Sequence, residues 1–319
     1  MDLARNAILW AAENGWLREH LPRYRFVRRS VARFMPGETL DDALGAARRL
    51  AERDLPSMFT ALGENVTDLV EARTVTEHYL EVYDRISESG LDIEVSVKPT
   101  HLGLELDPKA ALVNLEELVV AAEAHTNWLW LDMESARFLD GTLDLYRALR
   151  AGHPNVGICL QAYLKRTADD VDALMPLDPS IRLVKGAYRE PEELVFRSRS
   201  VIDEAYRRLA LLILARKGPH GRLALGTHDV DLIRIVEANA GSRDAFEVHM
   251  LFGIRQADLL RMLADGYVAR SLIAYGSYWY PWFMRRIAEK PVENTLLALR
   301  NLVARGSPLR RYPRMRASP

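Results

Sequence analysis

Short apolar runs, many of them β-branched, alternate along most of this chain with longer segments whose apolar positions recur at helical spacing. The runs predict strands over Ser57–Leu62, Ile93–Lys98, Trp128–Met133, Val156–Gln161, Ile181–Gly186, Leu223–Thr227, Phe246–Met250 and Tyr267–Ile273. Between them the spacing predicts helices near Val75–Ser87, Pro108–Ala124, Ala136–Arg150, Thr167–Met175, Ser200–Arg216, Asp231–Asn239 and Gln256–Ala264. Two more follow the last strand, over Tyr280–Glu289 and Val292–Ala304. Ahead of the first strand, residues 3–34 read as helical on Leu9, Trp10, Trp16, Leu17 and Leu21. Thr39 followed by Asp42 resembles a capping box opening a helix through Ala43, Ala47, Leu50 and Ala51.

No proline interrupts a strand interior, as a buried parallel sheet requires. Near-continuous apolar strands alternating with helices indicate such a sheet. Eight units favour a closed (βα)8 barrel of TIM type over an open doubly wound sheet. The expected fold class is therefore α/β, one domain over residues 1–319. Extra N-terminal helices in residues 1–54 pack on the barrel, a C-terminal helix follows it, and residues 306–319, rich in proline and arginine, form a frayed end.

Composition narrows this picture only a little. Of 319 residues, 49% are hydrophobic and 27% charged, the balance of a globular chain, and the formal net charge of −1 gives no field for nucleic acid. Cys159 is the only cysteine, which excludes a disulfide framework and a thiolate metal cluster and fits a reducing cytoplasm. No apolar run approaches the roughly 20 residues that span a bilayer. Asp2 and Arg5 near the start argue against a secretory signal.

Polar residues collect where the strands end. Lys98, Asp132, Gln161, Lys185, His228 and His249 each stand at or just after the C-terminal end of a different predicted strand. In a barrel those ends share one face, where active sites of this fold lie. Lys98 can serve as a Schiff-base nucleophile, as an anchor for a substrate carboxylate, or as the ion-pair partner of Asp132. Asp132 can in turn be a general base, a metal ligand or only that partner. His228, Asp229 and His249 invite a metal-hydrolase reading, but the first strand lacks the paired histidines such barrels usually carry. A class I aldolase built on Lys98 or Lys185, and a barrel kept as a binding module, stay open as alternatives. After the last strand comes Tyr275-Gly276-Ser277-Tyr278-Trp279-Tyr280-Pro281-Trp282-Phe283-Met284-Arg285-Arg286, with Glu289 a turn later. Two guanidinium groups can clamp a carboxylate while aromatics shield a planar cofactor; the plainer reading is a helix with an Arg–Glu pair. No G-x-G-x-x-G follows the first strand, which argues against a Rossmann nucleotide site.

Taken together, several collinear stretches resemble proline dehydrogenase in its short single-function bacterial form. They include Ser96-Val97-Lys98, Leu131-Asp132-Met133-Glu134, Leu160-Gln161-Ala162-Tyr163-Leu164, Arg182-Leu183-Val184-Lys185-Gly186-Ala187-Tyr188, Thr227-His228-Asp229 and Arg285-Arg286-Ile287-Ala288-Glu289. The resemblance implies noncovalent FAD across the rim and oxidation of L-proline to 1-pyrroline-5-carboxylate by hydride transfer to flavin N5. It also implies electron delivery to a quinone, through reversible contact of a cytoplasmic protein with the inner face of the membrane. Arg182 would approach flavin N5; Gln161, Lys185, Gly186, Thr227 and His228 would contact the cofactor. Lys98, Arg285 and Arg286 would bind the substrate carboxylate, Glu289 would hold the arginines, and Asp132 would orient Lys98. Tyr188 and Leu183 would border the ring. Leu272 and Trp282 stand where the family usually has tyrosines lining the substrate pocket, next to Tyr275; His249 replaces its usual glutamine and Tyr278 an acidic residue. Those changes leave a different cyclic or modified amino acid as the alternative substrate.

Overall fold

The computed structural model describes residues 34–64 and 66–289, together with residues 8, 10, 11, 14–20 and 31. The helix expected over Val292–Ala304 and the tail 306–319 lie outside the described residues. Eight strands form a closed barrel in sequence order: β1 Ser57–Ala61, β2 Ile93–Val97, β3 Leu129–Leu131, β4 Val156–Gln161, β5 Ser180–Val184, β6 Leu223–Gly226, β7 Glu247–Leu251 and β8 Val268–Tyr275. All pairings are parallel, and β1 meets β8 with Ser57 opposite Ser271 and Ala61 opposite Tyr275. The barrel expected from the alternating runs is thus the fold, and each predicted strand overlaps an observed one.

Helices cover the outside because every strand presents an apolar outer face. Phe59, Val95, Leu131, Ile158, Leu183 and Val248 are all fully buried there against helical side chains. Local signals set the helix ends. Thr39 and Asp42 complete the capping box of the Leu40–Ala51 helix, which packs under β1 and β8. Asp68 caps the Leu69–Ser89 helix, and Gly90 ends it at φ 64° in the left-handed region where a side chain is disfavoured. From that helix the Tyr79 hydroxyl accepts from Ala61 N at 3.0 Å and donates to Ser96 O at 3.4 Å, tying it to β1 and β2.

Side chains on a strand alternate between its two faces, so the barrel interior takes every second residue. That inner set includes Met58, Glu94 with Ser96 and Lys98, Trp128 with Trp130, Gly157 with Cys159 and Gln161, Arg182, Arg222 with Ala224, Glu247 with His249, and Arg270 with Leu272. Its lower half is charged. Arg222 Nε and Nη2 bind Glu247 at 2.6 and 2.7 Å, while Nη2 also reaches Glu94 at 2.8 Å. Arg270 meets the same Glu94 at 3.2 Å, and Trp130 Nε1 donates to it at 2.7 Å. Buried charges survive only when paired in this way. Over the mouth, the Trp279–Glu289 helix packs with Val31, Phe34 and Met35 in a second apolar cluster holding Trp279, Trp282 and Phe283.

Candidate active site

Two groups of side chains face each other at the C-terminal mouth. The upper group begins with Lys98, the residue after β2, whose side chain is 10% exposed and points at Glu64. Lys98 Nζ donates to Gly63 O at 3.2 Å and stands 3.5 Å from Glu64 Oε2. Arg285 reaches the same carboxylate from the C-terminal helix, with Nη1 and Nη2 at 3.0 and 3.1 Å. The Arg285 guanidinium also lies 5.2 Å over the ring of Tyr188. Burial alone would raise the Glu64 carboxyl, but Lys98 and Arg285 outweigh it and hold the group down at about 2. Two cations therefore share one carboxylate. Beside it, Glu134 accepts from Thr100 N and Oγ1 at 3.0 and 2.7 Å, and burial raises its carboxyl. His101 stays neutral near pH 7, since burial and then Lys98 lower it to about 4.

The lower group lies two residues down the inner face of β2. Arg182 projects inward from β5 and is 3% exposed. Its Nη2 donates to Asp132 and, at 2.8 Å, to Ser96 Oγ; Nη1 donates to Met58 Sδ at 2.7 Å. Ser96 Oγ passes a hydrogen bond on to Asp132 at 3.0 Å. Asp132, the residue after β3, is therefore held by Arg182 and Ser96. The expected pairing of Asp132 with Lys98 is replaced by Lys98–Glu64, because Glu64 comes down from the loop after β1 to meet the lysine.

Around the rim, Gln161 donates its amide to Met133 O and Glu134 O, both at 3.2 Å. Lys185 is held between Asp203 and Asp229, the latter at 2.9 Å. Thr227 Oγ1 accepts from Asp229 N at 3.1 Å, and His228 follows it on the same loop. Gly186 has φ 112°, and a Cβ there would run into the Tyr163 ring, so glycine is required for two reasons.

Several expected site residues stand elsewhere. Leu183 is next to inward-facing Arg182 and so points outward into the core between sheet and helices, where it cannot border a ring inside the mouth. Tyr275 likewise faces outward, its hydroxyl 2.8 Å from His78 Nε2 on the Leu69–Ser89 helix. His249 lies in the middle of β7, below the rim, with Nε2 3.0 Å from Glu247. Leu272 does face the interior, packed with Met58 and Trp130, and Trp282 is buried in the cluster over the mouth. Arg285 finds its partner in Glu64. Arg286 and Glu289 belong to the same helix, but their side chains lie outside the described residues. Among the described residues, no group of three or more His, Cys, Asp or Glu is arranged to hold a metal ion. Glu64 was not foreseen: it sits in a loop without periodicity, and only the folded chain brings it to Lys98.

A closed parallel barrel with buried, carboxylate-paired cations converging at its C-terminal mouth has the architecture of a (βα)8 enzyme, whose sites lie at that face. The sequence model of one family, proline dehydrogenase, matches residues 43–295. "Proline dehydrogenase 2" of Bacillus subtilis strain 168 is 32% identical over 294 residues, covering 91% of this chain and 95% of that protein. "Proline dehydrogenase" of Deinococcus radiodurans is 33% identical over 299 residues, covering 91% and 95%. Among solved structures, proline utilization A (PutA) from Bdellovibrio bacteriovorus superposes with a TM-score of 0.74 at 19% identity, over 88% of this chain and 38% of that longer one. The chain belongs to the proline dehydrogenase family. It is thus an oxidoreductase acting on the CH–NH bond of proline, in a family that is flavin-dependent.

Proposed function

We propose that this protein oxidises L-proline to 1-pyrroline-5-carboxylate with noncovalently held FAD. The observation that carries the assignment is the convergence of Lys98 and Arg285 on one buried carboxylate, two residues along β2 from the Ser96 that holds Arg182. A substrate carboxylate has the same chemistry as the Glu64 side chain and can be met by the same two cations. Charge-assisted hydrogen bonds from a lysine and a forked guanidinium fix both the position and the orientation of such a group.

The residues on the rim suit a flavin. Its ring edge carries one N–H donor, and Gln161 Oε1 is a buried acceptor with no partner among the described residues. Gln161 and Arg182 would meet the ring; Lys185, Gly186, Thr227 and His228 would hold the remainder. When bound, the flavin supplies the acceptor for the hydride from proline C5. The chain itself binds and orients. Lys98 and Arg285 anchor the carboxylate, with Arg286 assigned to the same anion and Glu289 to the arginines. Tyr188 packs against Arg285, while Leu272 and Trp282 give the pocket apolar walls. Asp132 pairs with Arg182, and its carboxylate offsets the burial that would otherwise lower that guanidinium. With the substrate amine already unprotonated, its nitrogen lone pair forms the C=N bond as hydride leaves C5, and the remaining N–H proton is released to solvent, so no covalent nucleophile is needed.

A quinone, met by a cytoplasmic protein at the inner face of the membrane, completes the proposed cycle as electron acceptor. No described helix is long and apolar enough to cross a membrane. Purified holoprotein should be yellow and should bleach on anaerobic addition of L-proline, with one equivalent of 1-pyrroline-5-carboxylate formed per flavin. Yellow protein that keeps its colour with L-proline refutes the assignment.

A further inference from the structure

Both Nη atoms of the Arg182 guanidinium are held by groups that belong to the barrel itself. Nη1 meets Met58 Sδ at 2.7 Å, and Nη2 meets Ser96 Oγ at 2.8 Å together with Asp132. Ser96 accepts from Arg182 and donates to Asp132 at 3.0 Å, so three side chains from β2, β5 and the end of β3 close a hydrogen-bonded ring. Below them the guanidinium carbon lies 5.3 Å over the Trp130 ring. Trp130 is itself fixed: Nε1 donates to Glu94 at 2.7 Å, Arg222 stands 5.1 Å over the same ring, and His249 meets it edge-on at 5.8 Å. Ser96 and Trp130 are both completely buried.

We propose that Ser96 and Trp130 are positioning residues for proline oxidation, setting the pose of Arg182 before the cofactor binds; this rests on the placement of Arg182 beside the flavin proposed above. Ser96 holds the guanidinium toward Asp132 from one side, and the Trp130 face supports it from beneath. A buried arginine with a partner on each Nη has nowhere to swing, so its charge meets the cofactor already oriented. Without the Ser96 hydroxyl the ion pair with Asp132 remains and the charge balance of the interior is unchanged. What is lost is the constraint on direction.

The experiment compares holoenzyme carrying Ser96→Ala, Ser96→Thr or Trp130→Phe with wild type. Four quantities are read: the rate of anaerobic flavin reduction at saturating proline, the proline KM, the midpoint potential of the bound flavin and the melting temperature. Ser96→Ala should slow reduction roughly tenfold, the size of one charge-assisted hydrogen bond, with KM unchanged. It should also lower the flavin potential, since a loosely held cation stabilises the reduced, anionic ring less. Ser96→Thr, which restores a hydroxyl, should recover most of the rate and potential. Trp130→Phe keeps a ring face but drops the tether to Glu94 and should shift the potential in the same direction. Unchanged reduction rate and potential in Ser96→Ala and Trp130→Phe, whatever the melting temperature, overturn the positioning role. A colourless wild type, or a yellow one whose potential ignores Arg182→Lys, overturns the flavin placement as well, so the two failures are told apart.

Discussion

Replacing Lys98 by methionine tests the carboxylate anchor with little change of side-chain volume. The upper group carries Lys98 and Arg285 against Glu64, and Lys98→Met removes one of these two cations. Unit charges about 4 Å apart attract by about 4 kcal/mol at an effective dielectric of 20, which sets the ceiling. Hydrogen bonds to charged groups are worth about 1.5–3 kcal/mol net of desolvation, a more realistic range for an anchor already partnered by Glu64. The proline KM should accordingly rise roughly 10- to 150-fold, with a much smaller change in the rate of flavin reduction at saturation. Anaerobic stopped-flow reduction across a proline titration separates the two quantities. L-prolinamide, which lacks the anionic carboxylate, supplies the cycle: Lys98→Met should cost it little. Equal losses for proline and prolinamide would refute the anchor and leave Lys98 a structural partner of Glu64.

Two further predictions concern residues whose positions the structure corrected or introduced. Tyr275→Phe removes a hydrogen bond to His78 on the outer face of the barrel, so it should cost about 1 kcal/mol of stability by denaturant unfolding. The proline KM should stay within about twofold of wild type, because the ring does not face the mouth; a large rise would place it back in the pocket. Glu64 has a carboxyl lowered from 4.5 to about 2, so its stabilisation is complete above pH 4.5 and fades as the pH falls toward 2. The shift corresponds to about 3 kcal/mol, so Glu64→Gln should lower stability at pH 7 and should flatten the loss between pH 4.5 and 3. An acid limb identical to wild type would disprove the coupling.

The barrel was legible because parallel strands covered by helices must be apolar on their outer faces, and runs such as Ile93–Val97 and Val156–Gln161 carry that pattern openly. Lys98 and Asp132 were legible as polar residues closing such runs, and Arg182 as an arginine inside one. Strict alternation would have placed Leu183 and Tyr275 correctly, since each neighbours an inward-facing position or follows one by an odd step. It would also have flagged Ser96, two residues before Lys98 and on the same face. Glu64 could not be found this way: a loop carboxylate between Gly63 and Asn65 has no periodic neighbour, and one of its two partners, Arg285, lies 221 residues further on. Pair identity failed for the same reason. Which carboxylate meets Lys98 depends on how the loop after β1 folds, and nothing local encodes that.

The charged floor of the barrel bears on how the chain folds. Glu94 on β2 meets Arg222, 128 residues later, and also Arg270 on β8, so its charge is satisfied only when the last third of the chain has arrived. A half-barrel ending after β4 would hold Glu94 and Trp130 with neither arginine present, and burying that carboxylate alone costs several kcal/mol. Partial barrels are thereby penalised, and the transition to the closed form becomes cooperative across the whole ring. Fragments split between β4 and β5 should stay loosely structured apart and gain native order only on mixing.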